Sequence, residues 1–252
     1  MTLPVSNITY HVTRLRPILM AFALSIVITS IQTQAQTRPP IVEQIAKTYG
    51  VDSWGQVEAL RYTFSFEWGK LKLSRSWVWE PKADRVSYDG PDKAGKPIKV
   101  TYIRSQLASQ DAVVKEWVEP GFINDRYLLL FPFHLVWDTG ATITDAGMAK
   151  LRLGKGSARK VVVKYPAEGG YTPGDTWELY VGNDNRIKEL NFHHGGTAKP
   201  TNVNVTWGDH KMAGPLLISV DKRGKADGKP VRLWFTNVAV KVTGSDTWME
   251  AK

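Results

Sequence analysis

A chain of 252 residues, 42% hydrophobic and 23% charged, can bury a substantial core and is too mixed in composition for a disordered or fibrous protein. It contains no cysteine, which excludes disulfides, a thiolate nucleophile, a cysteine-held zinc ion and a lipid-bearing cysteine after a leader. The formal charge of +9 is scattered, which suits an anionic surface better than a nucleic-acid groove.

The N-terminus reads as an export signal. Arg14 and Arg16 precede an apolar stretch over 18–31, no acidic residue comes before Glu43, and Thr33-Gln34-Ala35 offers compact residues for cleavage. The apolar stretch is shorter than the roughly 18–20 residues that a membrane-crossing helix needs, and Thr29 and Ser30 interrupt its end. Cleavage after Ala35 is expected, leaving 36–252 as a single β-barrel-like domain, soluble, monomeric and periplasmic or otherwise extracytoplasmic. Nucleic acid is not an expected partner in that compartment.

Pro39 and Pro40 ahead of Ile41, Val42, Ile45, Ala46 and Tyr49 predict a short helix with one apolar face, stopped by Gly50. Ser53 and Gln56 have the spacing of a capping box. The period then changes to two. Tyr62, Phe64, Phe66 and Trp68 alternate with Arg61, Thr63, Ser65 and Glu67; after a reversal at Gly69-Lys70, Leu71, Leu73, Arg75, Trp77 and Trp79 share one side of the next strand. Two strands joined so closely form a hairpin with an aromatic face. Further strands are predicted over 85–88, 98–104, 151–153, 160–165, 176–181, 186–193, 203–207, 216–220, 231–235 and 238–242. Gly90-Pro91, Gly169-Gly170, Asn183-Asp184-Asn185 and Asp227-Gly228 are the clearest turn signals between them. The fold class is mainly β with a helical insert: an antiparallel sheet that must curl or close, since a flat sheet of that many strands is unusual.

The insert lies between about 105 and 140. A helix is predicted over 111–117, and Asn124 or Asp125 caps a second over 126–131 that Pro132 ends. The run from Tyr127 to Phe133 is apolar on all sides, so this helix must be buried. It is either a lid across the mouth of the curled sheet or a plug filling it, and the two differ in whether a cavity remains beneath. Tyr62, Phe64, Phe66 and Trp68, with Leu73, Trp77 and Trp79, form an apolar row that belongs out of water. Together with Leu129, Phe131 and Phe133 they are the expected ligand-binding wall. Lys222, Arg223, Lys225, Lys229 and Arg232 surround the Asp227-Gly228 turn, as a solvated hairpin or as a point of transient contact with an anionic membrane surface.

The C-terminal run Trp207-Gly208-Asp209-His210, Gly214-Pro215-Leu216-Leu217-Ile218 and Lys229-Pro230-Val231-Arg232-Leu233-Trp234-Phe235-Thr236-Asn237-Val238 follows a leader, aromatic hairpins and a helical insert. In this pattern, over about 40–245, the chain resembles the periplasmic lipoprotein carriers of the LolA and LolB type. It is closer still to exported bacterial proteins of that fold in which stretches such as Pro173-Gly174-Asp175-Thr176-Trp177-Glu178-Leu179-Tyr180 recur. The resemblance implies an incomplete antiparallel barrel wrapped around helices, with an apolar cavity that takes acyl chains. It assigns the carriers' functional arginine to no position here.

The catalytic candidates are few. His193 and His194 are adjacent at a strand end and point to opposite faces, so they cannot share a metal ion while the strand persists, although Gly195-Gly196 can relax it. Asp209-His210 has the makings of a base with its orienting carboxylate, but Trp207-Gly208 and Lys211 suggest a loop and no serine stands in a nucleophile elbow. Glu178 and Glu189 fall on neighbouring strands like a glycosidase pair, or are surface carboxylates matched with Lys188 or Arg186. His134 and Asp138 have helical spacing, yet Pro132 precedes them. No P-loop, H-E-x-x-H or G-x-S-x-G motif occurs.

The expected function is therefore an exported protein that binds an apolar or lipid-like ligand, as a carrier or sensor, with no cofactor or metal. An envelope hydrolase using Asp209, His210, His193 or His194 is the alternative, and a non-catalytic structural envelope protein is a third.

Overall fold

The structure, a computed structural model, describes residues 38–195 and 201–252. The expected export signal lies outside the described residues. Helix α1 (Pro40–Thr48) begins on the expected prolines and buries Ile41, Val42, Ile45 and Ala46. Gly50 ends it with φ +94°, and a Cβ there would stand 2.3 Å from the Pro215 carbonyl oxygen. The adjacent Tyr49 carbonyl accepts from Leu217 N at 3.1 Å, so this glycine docks the helix on the last long hairpin. Gly50→Ala is expected to cost at least about 2 kcal/mol through strain and collision, read as a Tm fall of about 4 °C or more by calorimetry. The capping box at Ser53 does not form. A 3₁₀ turn over Val51–Gln56 starts from Gly50 with no side-chain cap.

Among the described residues thirteen strands make one antiparallel sheet. They are β1 (Val57–Trp68), β2 (Leu71–Glu80), β3 (Arg85–Pro91), β4 (Pro97–Ile103), β5 (Thr142–Lys150), β6 (Ser157–Lys164) and β7 (Thr176–Val181). β8 (Ile187–His193), β9 (Asn202–Thr206), β10 (Gly208–Ala213), β11 (Leu216–Ala226), β12 (Lys229–Val242) and β13 (Met249–Glu250) follow. The order is β4-β3-β2-β1-β12-β11-β9-β8-β7-β6-β5, with β10 also on β11 and β13 on β12. The edge strands β4 and β5 do not pair with each other, so the sheet is open and not a closed barrel.

Several boundaries differ from the sequence reading. The residues 151–153 are not a strand: the carboxylate of buried Glu189 accepts from the backbone N–H groups of Arg152, Leu153 and Gly154, and the strand lies earlier as β5. The predicted strands 231–235 and 238–242 are one, bent where Asn237 takes φ +53°. Gly90-Pro91 ends β3 and does not turn. At Asp227 and Gly228, φ is +48° and +79°, the geometry of a two-residue hairpin reversal.

The insert is one helix, not two. A single wide turn over Val114–Val118 leads into α2 (Glu119–Trp137); Pro120 has no N–H for the carbonyl four residues back, which favours such widening. Pro132 kinks the helix at Leu130 (φ −114°, ψ 22°) without ending it, and Arg38 donates to the carbonyls of Leu135 and Asp138 beyond the kink. Asn124 and Asp125, read as caps, stand in its interior.

Candidate ligand cavity

Register decides which aromatic residues can meet a ligand. Antiparallel pairing places Phe64 opposite Phe235, Phe66 opposite Leu233 and Tyr62 opposite Trp77, all on the face that α2 crosses. At one end α2 closes down on this face. Phe122 packs its ring 5.5 Å from Trp77 and 5.7 Å from Trp79, and Tyr62 is buried. Toward the other end of the face, on the flank of the helix that carries Ile123 and Leu128, a cavity of about 760 Å³ remains between α2 and the sheet.

Both expectations for the insert are thus met in part, since α2 fills one end and roofs the other. Of the wall read from sequence, Phe64, Phe66 and Leu73 line the cavity. Tyr62, Trp77 and Trp79 lie in the filled end. Trp68 is half-buried and donates its indole N–H to the Ala226 carbonyl at 3.2 Å. On the helix, the lining side carries Pro120, Ile123, Asn124, Tyr127 and Leu128, spaced as one helical face. Leu129, Phe131 and Phe133 point elsewhere: Phe131 stacks on Trp177 with centroids 4.1 Å apart, and Phe133 packs on Trp54 and Trp137. A run apolar on all sides could not reveal which of its residues face the space.

The far wall comes from β7, β8, β9 and β12 through Trp177, Leu190, Phe192, Val205 and Leu233. These strands were legible, but their meeting with β1 across β12 was not. Polar groups on the cavity surface are mostly committed. Arg75, which shares the inner face of β2, pairs with fully buried Asp125 of α2: Arg75 Nε donates to Oδ2 at 2.9 Å, and the Trp77 indole donates to the same oxygen at 2.9 Å. Burial pushes the Asp125 carboxyl up, against the pull of the Arg75 guanidinium and the indole. Glu119 accepts from the Tyr102 hydroxyl and from Arg104 Nη2 at 2.9 Å. Asp175 accepts from Gly195 N at 2.8 Å and is bonded to His194 Nδ1 at 3.0 Å.

The remaining catalytic candidates disperse. His193 bonds Asn191 while His194 bonds Asp175, the divergence expected of neighbours at a strand end. Asp209 and His210 lie in β10, not a loop, and His210 Nε2 is bonded to the Tyr49 hydroxyl at 2.8 Å. Burial, with Arg186 and Lys222 nearby, pushes His210 down to about 4, so it is neutral at neutral pH. Glu178 faces Asn191 across the ladder, not Glu189. It is held by Lys160 at 2.6 Å and Arg152 at 2.7 Å, not by Lys188 or Arg186; burial opposes its ionisation, but these cations and the Asn191 amide bring it down to about 2. His134 Nδ1 is 3.0 Å from Asp138 because the helix continues through Pro132. Tyr127 and Tyr165 donate to the same carboxylate at 2.7 and 2.8 Å, which fastens the end of α2. In the basic hairpin, Lys222 is fully buried and Arg223 and Arg232 are both bound to Asp221. Only Lys225 and Lys229 of that group stand exposed and without an ion pair among the described residues.

No family model matches the chain, and no curated protein does. Among solved structures it is similar to a DUF1329 family protein from Desulfovibrio piger, with 11% identity, TM-score 0.45, and 83% of this chain and 96% of that one covered. It is also similar to an outer-membrane lipoprotein-sorting protein domain from Vibrio parahaemolyticus, with 8% identity, TM-score 0.44 and coverage of 81% and 93%. The Mycobacterium tuberculosis lipoprotein LppX is matched at 8% identity, TM-score 0.31 and coverage of 80% and 96%. All three scores lie under 0.5, and the functional reading rests on the cavity.

Proposed function

We propose that this chain is an exported protein that holds an apolar, lipid-like ligand between α2 and the sheet, as a carrier or sensor. The observation that carries the reading is the lined space of about 760 Å³, within the range of small-molecule sites, on a face whose aromatic residues are otherwise buried. An acyl chain laid along Phe64, Phe66, Ile123 and Leu128 gains about 0.8 kcal/mol for each buried methylene, enough over a dozen carbons to outweigh the cost of ordering it. Export rests on the leader read from the sequence.

Phe66 and Leu128 are only partly buried and border the cavity, so a charge at either position spoils the site more than the fold. Phe66→Asp and Leu128→Asp are expected to weaken binding of a fluorescent fatty acid by at least about ten-fold, while Lys72→Ala, on the exposed side, changes it by less than about two-fold. A wild-type protein that binds no acyl probe and carries no lipid in native mass spectrometry would sink the proposal. A hydrolytic reading has one observation in its favour, the His194–Asp175 pair beside the cavity. Among the described residues no hydroxyl is hydrogen-bonded to His194.

A further inference from the structure

We propose that the cavity selects amphiphiles with an anionic head, inserted tail first, with the head held at the mouth by Lys115; this rests on the acyl-binding reading above. The mouth is marked by the lining residues that are also exposed. Leu71 is 56% and Tyr171 57% exposed, and Lys115 and His194 are exposed beside them. The inner surface is Phe64, Leu190, Val205 and Leu233, where a charged head would lose its water without a partner. Among the described lining residues Arg75 is the one cation deeper in, and Asp125 already neutralises it. A tail-first ligand leaves its head among the polar groups of the mouth.

The sign of that head follows from which charges are free. The two carboxylates on the cavity surface are occupied, Glu119 by Tyr102 and Arg104, and Asp175 by His194 and Gly195. The Lys115 ammonium makes no hydrogen bond or ion pair among the described residues. It lies one helical turn before Glu119, on the same side, and Tyr171 approaches that side through its hydroxyl, 3.4 Å from Arg104 Nη2. The nearby acids Asp111, Glu116 and Glu168 do not line the cavity. An anion at the mouth meets an uncommitted ammonium and adjacent hydroxyls; an ammonium head meets repulsion, and an alcohol gains no charge partner.

The test is displacement of a fluorescent fatty acid at low salt by dodecanoate, dodecanol and dodecylamine, which share one tail. Wild-type protein is expected to favour dodecanoate over dodecanol by about five-fold and to bind dodecylamine most weakly, the scale of one partly solvated charge contact. Lys115→Glu should erase the preference for dodecanoate and leave dodecanol within about two-fold, whereas Lys115→Arg should keep the preference. Equal affinity for dodecanoate and dodecanol in the wild type, or a preference that survives Lys115→Glu, would overturn head-group selection while the acyl site stands. If none of the three displaces the probe because the probe itself does not bind, the acyl reading fails and this one with it.

Discussion

Asp125→Ala is expected to destabilise the protein by about 3–5 kcal/mol, because it leaves a guanidinium on the inner face of the sheet without its anion. Asp125 is fully buried and Arg75 is 7% exposed. The change also strands the Trp77 indole N–H, which donates to the same carboxylate at 2.9 Å. Arg75 borders the cavity, so water can reach part of the guanidinium, and the lower half of that range is expected. Replacing both partners with apolar residues, Arg75→Met with Asp125→Leu, removes the desolvation cost along with the attraction. The double variant is expected to lie within about 1 kcal/mol of wild type. Urea unfolding of the single and double variants measures both; a single-variant loss under about 1 kcal/mol would show that the pair is not what ties α2 to β2.

How far this pair was legible is instructive. Alternation along β2 placed Arg75 on the same side as Trp77 and Trp79, so an inward arginine could be read. Its partner could not, because the residue pattern around Asp125 fits a cap as well as an interior position. Only the continuation of the helix from Val114 to Trp137 places that carboxylate opposite β2. The same holds for Pro132, whose missing N–H breaks one bond locally while tertiary packing of Phe131 on Trp177 and the grip of Arg38 on the final turn keep the helix going. Strand existence was legible from period two; the openness of the sheet came with the family resemblance, since the strand count alone left curling and closing undecided. The cavity was not, since it depends on which flank of α2 meets which part of the aromatic row. Phe122 decides that by filling the space over Trp77 and Trp79, and nothing in the spacing of Phe122 distinguishes it from Ile123, which lines the cavity.

Lys222 is expected to make the protein more stable as pH rises from about 7 toward 9.5, and Lys222→Met is expected to abolish that rise. In the sequence this lysine belongs to a basic group around a hairpin turn; in the structure it faces inward from β11, opposite Leu233, and is fully buried. Its ammonium donates to the Ser219 carbonyl at 2.8 Å and sits over the rings of Trp207 and Phe235 at 4.1 and 4.8 Å, with no carboxylate in contact. Burial pushes it down to about 7, from an ordinary value of 10.5. Between those values the unfolded chain holds a proton that the folded chain has released. Folding is therefore penalised by about 1.4 kcal/mol for each pH unit that the solution lies below 10.5, and the penalty levels off below about 7. Methionine keeps the length of the chain and removes the proton, so the variant is expected to be more stable than wild type at pH 7 by about 2 kcal/mol, the gap closing near pH 9 and reversing above it. Tyr49 and Tyr62, pushed up by burial, lose folded-state stability only above about pH 10, outside the window. Urea unfolding of both proteins at intervals from pH 7 to 9.5 is the measurement, and parallel curves would mean that Lys222 stays charged in the fold.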